Sequence, residues 1–301
     1  MNKDRKMILL VGDNPFHGIS HLSQERARIR GEVATSPDYA ANLVMTSVNN
    51  GADGFMFSVS DTTLSILRII REQKRREPIQ LYSIVPYAYE YVRLATQVGG
   101  IPGIARRFAK QIARSGNMAA MASGLKGIVR MDPVALMKAY LAYEVSRIKS
   151  SAKKQGNLKS LMLHEIITDM ALALDLDQIF KSYVDYVKRL AIRPGFETRN
   201  FPYFVDKFRE WGISLDQITV ATPFNKIGFQ MNPSRIECEK ALSRIPGSTN
   251  LIAMSILAAG YLKLPEAMDY IRGLSNIKGV VIGVSKEHHA SETFKFLKLD
   301  K

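Results

Sequence analysis

Leu251-Ile252-Ala253-Met254-Ser255 and Gly279-Val280-Val281-Ile282-Gly283 are two short apolar runs, each followed by small residues and then by a helical pattern. Runs of this length rich in β-branched residues read as buried parallel strands, and a small-residue turn before a helix exposes backbone N–H groups to an anion. The pair therefore reads as the seventh and eighth strands of a (β/α)8 barrel, with a phosphate-type site between them.

Working outward, the same rhythm recurs along the chain. Strands are expected at Ile8 to Val11, Gly54 to Phe57, Gln80 to Val85, Ser160 to Leu163, Ala191 to Pro194, Ile218 to Ala221, Leu251 to Met254 and Val280 to Ile282. Helical periodicity fills the gaps: Tyr39 to Asn49, Leu64 to Arg75, Pro133 to Lys154, Leu176 to Arg189, Tyr203 to Trp211, Ser234 to Leu242, Pro265 to Arg272 and Glu287 to Leu297. Ser36-Pro37 is a start signal and Gly51 a stop signal. The fold class is thus α/β, a (β/α)8 TIM barrel, with residues 1–301 read as one domain.

One connection departs from the rhythm. Residues 87–131 form a long basic insertion after the third strand, with Gly99-Gly100-Ile101-Pro102-Gly103 and the apolar residues Met118, Met121, Leu125, Ile128 and Val129. Loops this long are functional or disordered as a rule. Short helices covering the barrel mouth, a subunit contact, a membrane-surface patch and disorder are the readings left open.

Composition narrows the partners. The chain has 301 residues, 46% hydrophobic and 23% charged, with a formal net charge of +14. Between Glu90 and Asn157 twelve Lys or Arg stand against three acids, nine of those fourteen charges. A basic field concentrates anions, so a small anionic or phosphorylated ligand is the expected partner. Nucleic acid is a weaker expectation, because Tyr87, Tyr89, Tyr91 and Phe108 do not interleave with the basic residues as base stacking would require. No apolar run reaches membrane-spanning length and no secretory signal is evident, so a cytoplasmic location is expected; oligomeric state is not legible. The single cysteine, Cys238, excludes an internal disulfide.

Polar residues cluster where the expected strands end. After the first come Asp13, Asn14, His17 and His21; after the second, Asp61; after the third, Tyr87; after the fourth, His164 and Glu165. Glu197, Asn225 and Ser255 follow the fifth, sixth and seventh. Acid/base chemistry is assigned to His164, Glu165, Asp61 and His17, since a histidine beside a carboxylate can move protons near neutral pH. Asp13, Asn14, Tyr87, Glu197, Asn225 and Ser255 are read as substrate contacts. Gly260, Gly283, Ser285 and Lys286 are the expected anion or cofactor cradle, with a tight βα turn and an ordinary helix cap as the lesser alternative. The carboxylates and histidines would also suffice for a divalent metal, but none has a local ligand spacing such as His-Glu-x-x-His.

Three segments resemble the aldo/keto reductase superfamily. Leu161-Met162-Leu163-His164 is similar to the family's fourth strand, which ends in its active-site histidine. Asn250 to Gly260 looks like its seventh-strand segment. Val281-Ile282-Gly283-Val284-Ser285-Lys286 with Glu292 resembles the motif that holds the cofactor's phosphates. The resemblance spans about residues 158 to 297 and implies a TIM barrel, NADP as cofactor and carbonyl reduction. The family's reduction also needs a tyrosine after the second strand, an aspartate at that strand's end and a lysine at the end of the third. Here those places read Phe57-Ser58-Val59-Ser60-Asp61 and Tyr82-Ser83-Ile84-Val85-Pro86-Tyr87. The expectation is therefore a family fold with altered chemistry; an NADP-dependent carbonyl oxidoreductase, a metal-assisted isomerase, lyase or hydrolase, and a non-catalytic binding barrel are the alternatives.

Overall fold

Eight parallel strands hydrogen-bond in sequence order, and the eighth closes onto the first. The computed structural model describes residues 7–18, 35–73, 77–86 and 132–299. Its strands are β1 Ile8–Gly12, β2 Gly54–Ser58, β3 Ile79–Val85, β4 Gly156–Leu163, β5 Arg193–Glu197, β6 Thr219–Pro223, β7 Asn250–Met254 and β8 Ile277–Gly283. The helices among these residues are α1 Pro37–Asn49, α2 Asp61–Glu72, α3 Pro133–Ala152, α4 Glu165–Ala173, α5 Asp177–Arg189, α6 Phe201–Glu210, α7 Arg235–Ala241, α8 Leu264–Arg272 and α9 Glu287–Leu299. The expected (β/α)8 barrel is thus present, and the expected insertion at 87–131 lies outside the described residues. Among the described residues no helix is long and apolar enough to cross a membrane.

Two elements differ from the sequence reading. The fifth strand begins at Arg193 rather than Ala191. Ala191 takes φ 55°, and the Ala191 and Ile192 N–H groups still cap α5 through Lys188 and Val187. The backbone therefore cannot extend until Arg193. Conversely, α4 follows β4 directly, although Ile166-Ile167-Thr168 is a β-branched run with low helix propensity. The helix forms because His164 caps its first turn and Thr168, Ala171 and Leu172 are buried.

Period-two alternation sorts the strand side chains into two cores. Leu10, Met56, Tyr82, Ile84, Met162, Ala221 and Ile252 form the barrel interior, flanked by Ile8, Met254 and Val281. Their neighbours point outward against the helices; Phe55 and Phe57, for example, stack at 4.9 Å. On β5 the interior position is Gly195, where a Cβ would lie 2.4 Å from Met162 Cγ and 2.7 Å from Ser160 Oγ. The absent side chain makes room for Met162. Phe196 faces the other way, into a cluster with Phe180, Phe204 and Phe208 between α5 and α6. The register set by Gly195 and Phe196 brings Glu197 back to the axis at the top of the barrel.

Candidate active site at the barrel mouth

A cavity of about 300 Å³ opens at the C-terminal ends of the strands. Its polar lining is Asp13, Asn14, Ser58, His164, Glu165, Glu197, Arg199 and Ser255, set against Met56, Ile84, Met254 and Val281 from the interior core.

Asp13 follows β1 and is buried. Its Oδ2 accepts the Ser58 N–H at 2.7 Å and hydrogen-bonds His17 Nε2 at 3.1 Å, which ties the ends of β1 and β2 together. His164 closes β4, with its backbone N–H donating to the Val85 carbonyl at 2.9 Å. Its Nδ1 accepts the Ile166 N–H at 3.2 Å, the N-cap bond of α4. An accepting Nδ1 assigns the ring proton of the neutral imidazole to Nε2. The residue is 6% exposed, and burial, the largest influence, holds its pKa below the usual histidine value; Glu165 opposes this and Arg199 adds to it.

Glu197 ends β5 at 7% exposure. Burial pushes its pKa well above the ordinary carboxylate range, and the nearby charges of Glu165 and Asp13 push the same way. Arg199 and a backbone hydrogen bond with Glu165 counter this only in part. The mouth thus gathers a histidine and a carboxyl group whose charged forms are both disfavoured by burial, the kind of environment that general acid/base chemistry uses.

At the rim, Arg199 grips Glu165 through two donors, with Nη2 at 2.9 Å from Oε1 and Nε on the other oxygen. The Arg199 main chain is held independently: its N–H donates to Asp169 Oδ2 at 3.0 Å and its carbonyl accepts the Asn232 N–H at 3.1 Å. Arg199 escaped the sequence reading. The polar run Glu197-Thr198-Arg199-Asn200 after a strand was its only signal, and nothing in it reveals the pairing with Glu165.

The remaining sequence candidates divide. Asn14, Ser255, Gly260 and Gly283 line the cavity. Ser255, Ala258, Ala259 and Gly260 all have positive φ, so the loop after β7 coils tightly along one wall. Gly283 is accounted for by packing, since a Cβ there would lie 2.9 Å from Pro15 Cδ. His17 reaches the site through Asp13. Ser285 and Lys286 are not among the lining residues. The Ser285 carbonyl accepts the Tyr39 hydroxyl at 3.5 Å and the Lys286 carbonyl begins the α9 ladder. Asn225 is fully buried, and its amide clamps its own loop by accepting the Phe229 N–H at 2.7 Å and donating to the Phe229 carbonyl at 2.8 Å. Asp61 stands at the start of α2 with its side chain 90% exposed, paired with Arg147 at 2.6 Å and outside the cavity lining. Tyr87 and His21 lie outside the described residues. Among the described residues no group of three or more His, Cys, Asp or Glu is arranged to hold a metal ion.

No protein-family profile and no curated protein sequence matches the chain. Solved structures do. A candidate aldo-keto reductase from Pseudomonas aeruginosa superposes with a TM-score of 0.54 at 10% identity, covering 97% of this chain and 90% of that one. The glycerol dehydrogenase of Gluconobacter oxydans gives a TM-score of 0.50 at 11% identity, covering 96% and 86%. The likeness is one of fold. The barrel is built like those of aldo-keto reductases, as the sequence resemblance implies. The described cavity lining, however, contains neither a tyrosine nor a lysine, and the inward residue at the end of β3 is Ile84.

Proposed function

We propose that the barrel mouth is the active site of an enzyme acting on a small phosphorylated or otherwise anionic molecule, with proton transfer centred on His164 and Glu197. The observation that carries this reading is the convergence of these two side chains, from the adjacent strand ends of β4 and β5, on one half-enclosed cavity. Burial is the largest influence on both and disfavours the charged form of each. His164 Nε2–H and the Glu197 carboxyl are then both proton donors toward an oxygen of a bound ligand, where charge develops as the proton of a neighbouring C–H passes to the Asp13 carboxylate, which returns a proton to the same carbon when the charge collapses. Asp13, held by Ser58 and His17, fixes the opposite wall, and the coiled loop from Ser255 to Gly260 flanks the ligand.

The second reading is NADP-dependent carbonyl reduction, which the aldo-keto-reductase-like barrel favours. Hydride transfer to a carbonyl needs a phenol acidified by a nearby ammonium. The described lining supplies neither, and Ser285 and Lys286 are not part of it. The described residues of the lining do not make up the reducing set, and no step is assigned to a nicotinamide.

One experiment separates the two. The protein is incubated in D2O with 2-oxo and 2-hydroxy acids, phosphorylated ketoses and neutral ketones, and C–H to C–D exchange is followed by NMR. Equilibrium binding of NADPH is measured by fluorescence in parallel. The expected result is exchange in at least one anionic compound, reduced about 100-fold or more in His164→Gln. No exchange in any compound, with NADPH binding in the micromolar range or tighter, restores the reductase and overturns the proposal.

A further inference from the structure

We infer that the anionic group of the ligand is a carboxylate and that Arg199 is its anchor, with Glu165 holding the guanidinium in the absence of ligand and giving it up on binding. The inference rests on the proposal that the cavity takes a small anion, and adds which residue reads the charge and which anion it reads.

Three observations support it. First, Arg199 and Glu165 both line the cavity, and the pairing between them is bidentate, Nε and Nη2 each on a separate carboxylate oxygen. That fork matches a planar carboxylate, so Glu165 presents to Arg199 the same chemical group that a ligand would bring. Second, the side chain can exchange partners without disturbing the loop. Asp169 and Asn232 hold the Arg199 main chain, and both side chains of the pair keep some exposure, 25% for Arg199 and 15% for Glu165. That exposure gives a ligand carboxylate a route to the guanidinium, which leaves the pair open to competition.

Third, the charge around the cavity favours a monoanion. Among the described lining residues, Asp13, Glu165 and Glu197 are three carboxyl groups beside one guanidinium, that of Arg199. A phosphate group, at about −1.5 to −2, would meet more repulsion from Asp13 and Glu165 than a carboxylate would. The ligand carboxylate takes over the charge that Glu165 supplied. The freed Glu165 then stands unpaired beside His164 and Glu197, both of which already respond to its charge, and so strengthens their hold on the protons they donate. Recognition at the rim is thereby coupled to acid strength at the floor.

The test is binding of 2-oxo monocarboxylates, from pyruvate to 2-oxohexanoate, with inorganic phosphate and butanone as the other two arms. Calorimetry is run on wild type, Arg199→Met, Arg199→Lys and Glu165→Gln, with melting curves to establish that each is folded. Arg199→Met should weaken carboxylate binding about tenfold or more, the scale of a lost charge-assisted bidentate contact. Arg199→Lys, which keeps the charge but not the fork, should lose most of the same affinity. Glu165→Gln should tighten binding several-fold, because the internal competitor is gone. Phosphate should bind at least tenfold more weakly than the best carboxylate, and butanone should be insensitive to either arginine substitution.

A loss of affinity in Glu165→Gln comparable to that in Arg199→Met would overturn the inference, since the pair would then be mere support. Phosphate binding as tight as carboxylate and equally dependent on Arg199 would overturn the choice of anion. Carboxylate binding that ignores Arg199 would overturn the anchor while leaving the proposed acid/base reading to its D2O exchange test. No anion binding together with no exchange would sink both.

Discussion

Gly195→Ala tests the barrel register on which the site depends. The added methyl would lie 2.4 Å from Met162 Cγ and 2.7 Å from Ser160 Oγ. Comfortable carbon contacts begin near ~3.5 Å, so Met162 would have to retreat by about 1 Å inside a filled barrel. Ser160 is also committed, since its hydroxyl donates to the Arg193 carbonyl at 2.9 Å. Overpacking costs about 1–3 kcal/mol and a lost buried hydrogen bond about 1 kcal/mol, which together set an expected destabilisation of about 2–4 kcal/mol. Met162→Ala alone should cost about 2–5 kcal/mol through the cavity it leaves. In the double variant the new methyl fills part of that cavity, and the combined loss should fall short of the sum by about 1 kcal/mol or more. Urea denaturation reads all three values through Trp211, the chain's single tryptophan, which packs on Phe180 at 5.4 Å. Additive losses, or a Gly195→Ala protein within about 0.5 kcal/mol of wild type, would mean that Gly195 and Met162 do not share the interior, and that Glu197, two residues along the same strand, does not face the cavity.

Other perturbations follow from the site and its frame. Because the Glu197 carboxyl has a raised pKa in the folded protein, the stability it contributes is complete below about pH 4.3 and is lost as pH rises toward the folded value; Glu197→Gln should therefore gain stability relative to wild type as pH increases, in parallel pH-dependent urea melts. His164 is lowered, so its contribution is present above about pH 6.5 and is lost on acidification, and a His164→Gln protein should show a shallower loss of stability below that pH. Arg147 pairs with both the buried Glu144 and the exposed Asp61, and Asp61→Ala should cost less than about 1 kcal/mol, while Glu144→Ala, which removes the buried partner, costs clearly more by the same denaturation assay. Asn225→Ala leaves the part-buried N–H and carbonyl of Phe229 without their shared amide, and a loss of about 1–2 kcal/mol with increased hydrogen exchange at Phe229 is expected.

The strands and most helices were legible because each writes its own burial period into a few adjacent residues. Gly54 to Ser58 alternates between barrel interior and helix layer, and Ser36-Pro37 opens α1 as turn chemistry requires. Local propensity failed where distant packing decided the outcome. The β-branched run at Ile166 becomes helix through the His164 cap and burial, and the Ala191 backbone bends away from the strand the run of apolar residues suggested.

By itself, then, the chain determined a closed parallel barrel and a ring of polar residues at its strand ends, since both depend on patterns repeated within a few positions. Tertiary structure alone decided which of those residues meet. Glu165 and Arg199 are separated by 34 positions and pair at one rim, while Asp61 is turned outward to Arg147, 86 positions away. The shifted acidities of His164 and Glu197 likewise belong to the assembled barrel, because desolvation and neighbouring charge exist only once the strand ends enclose them.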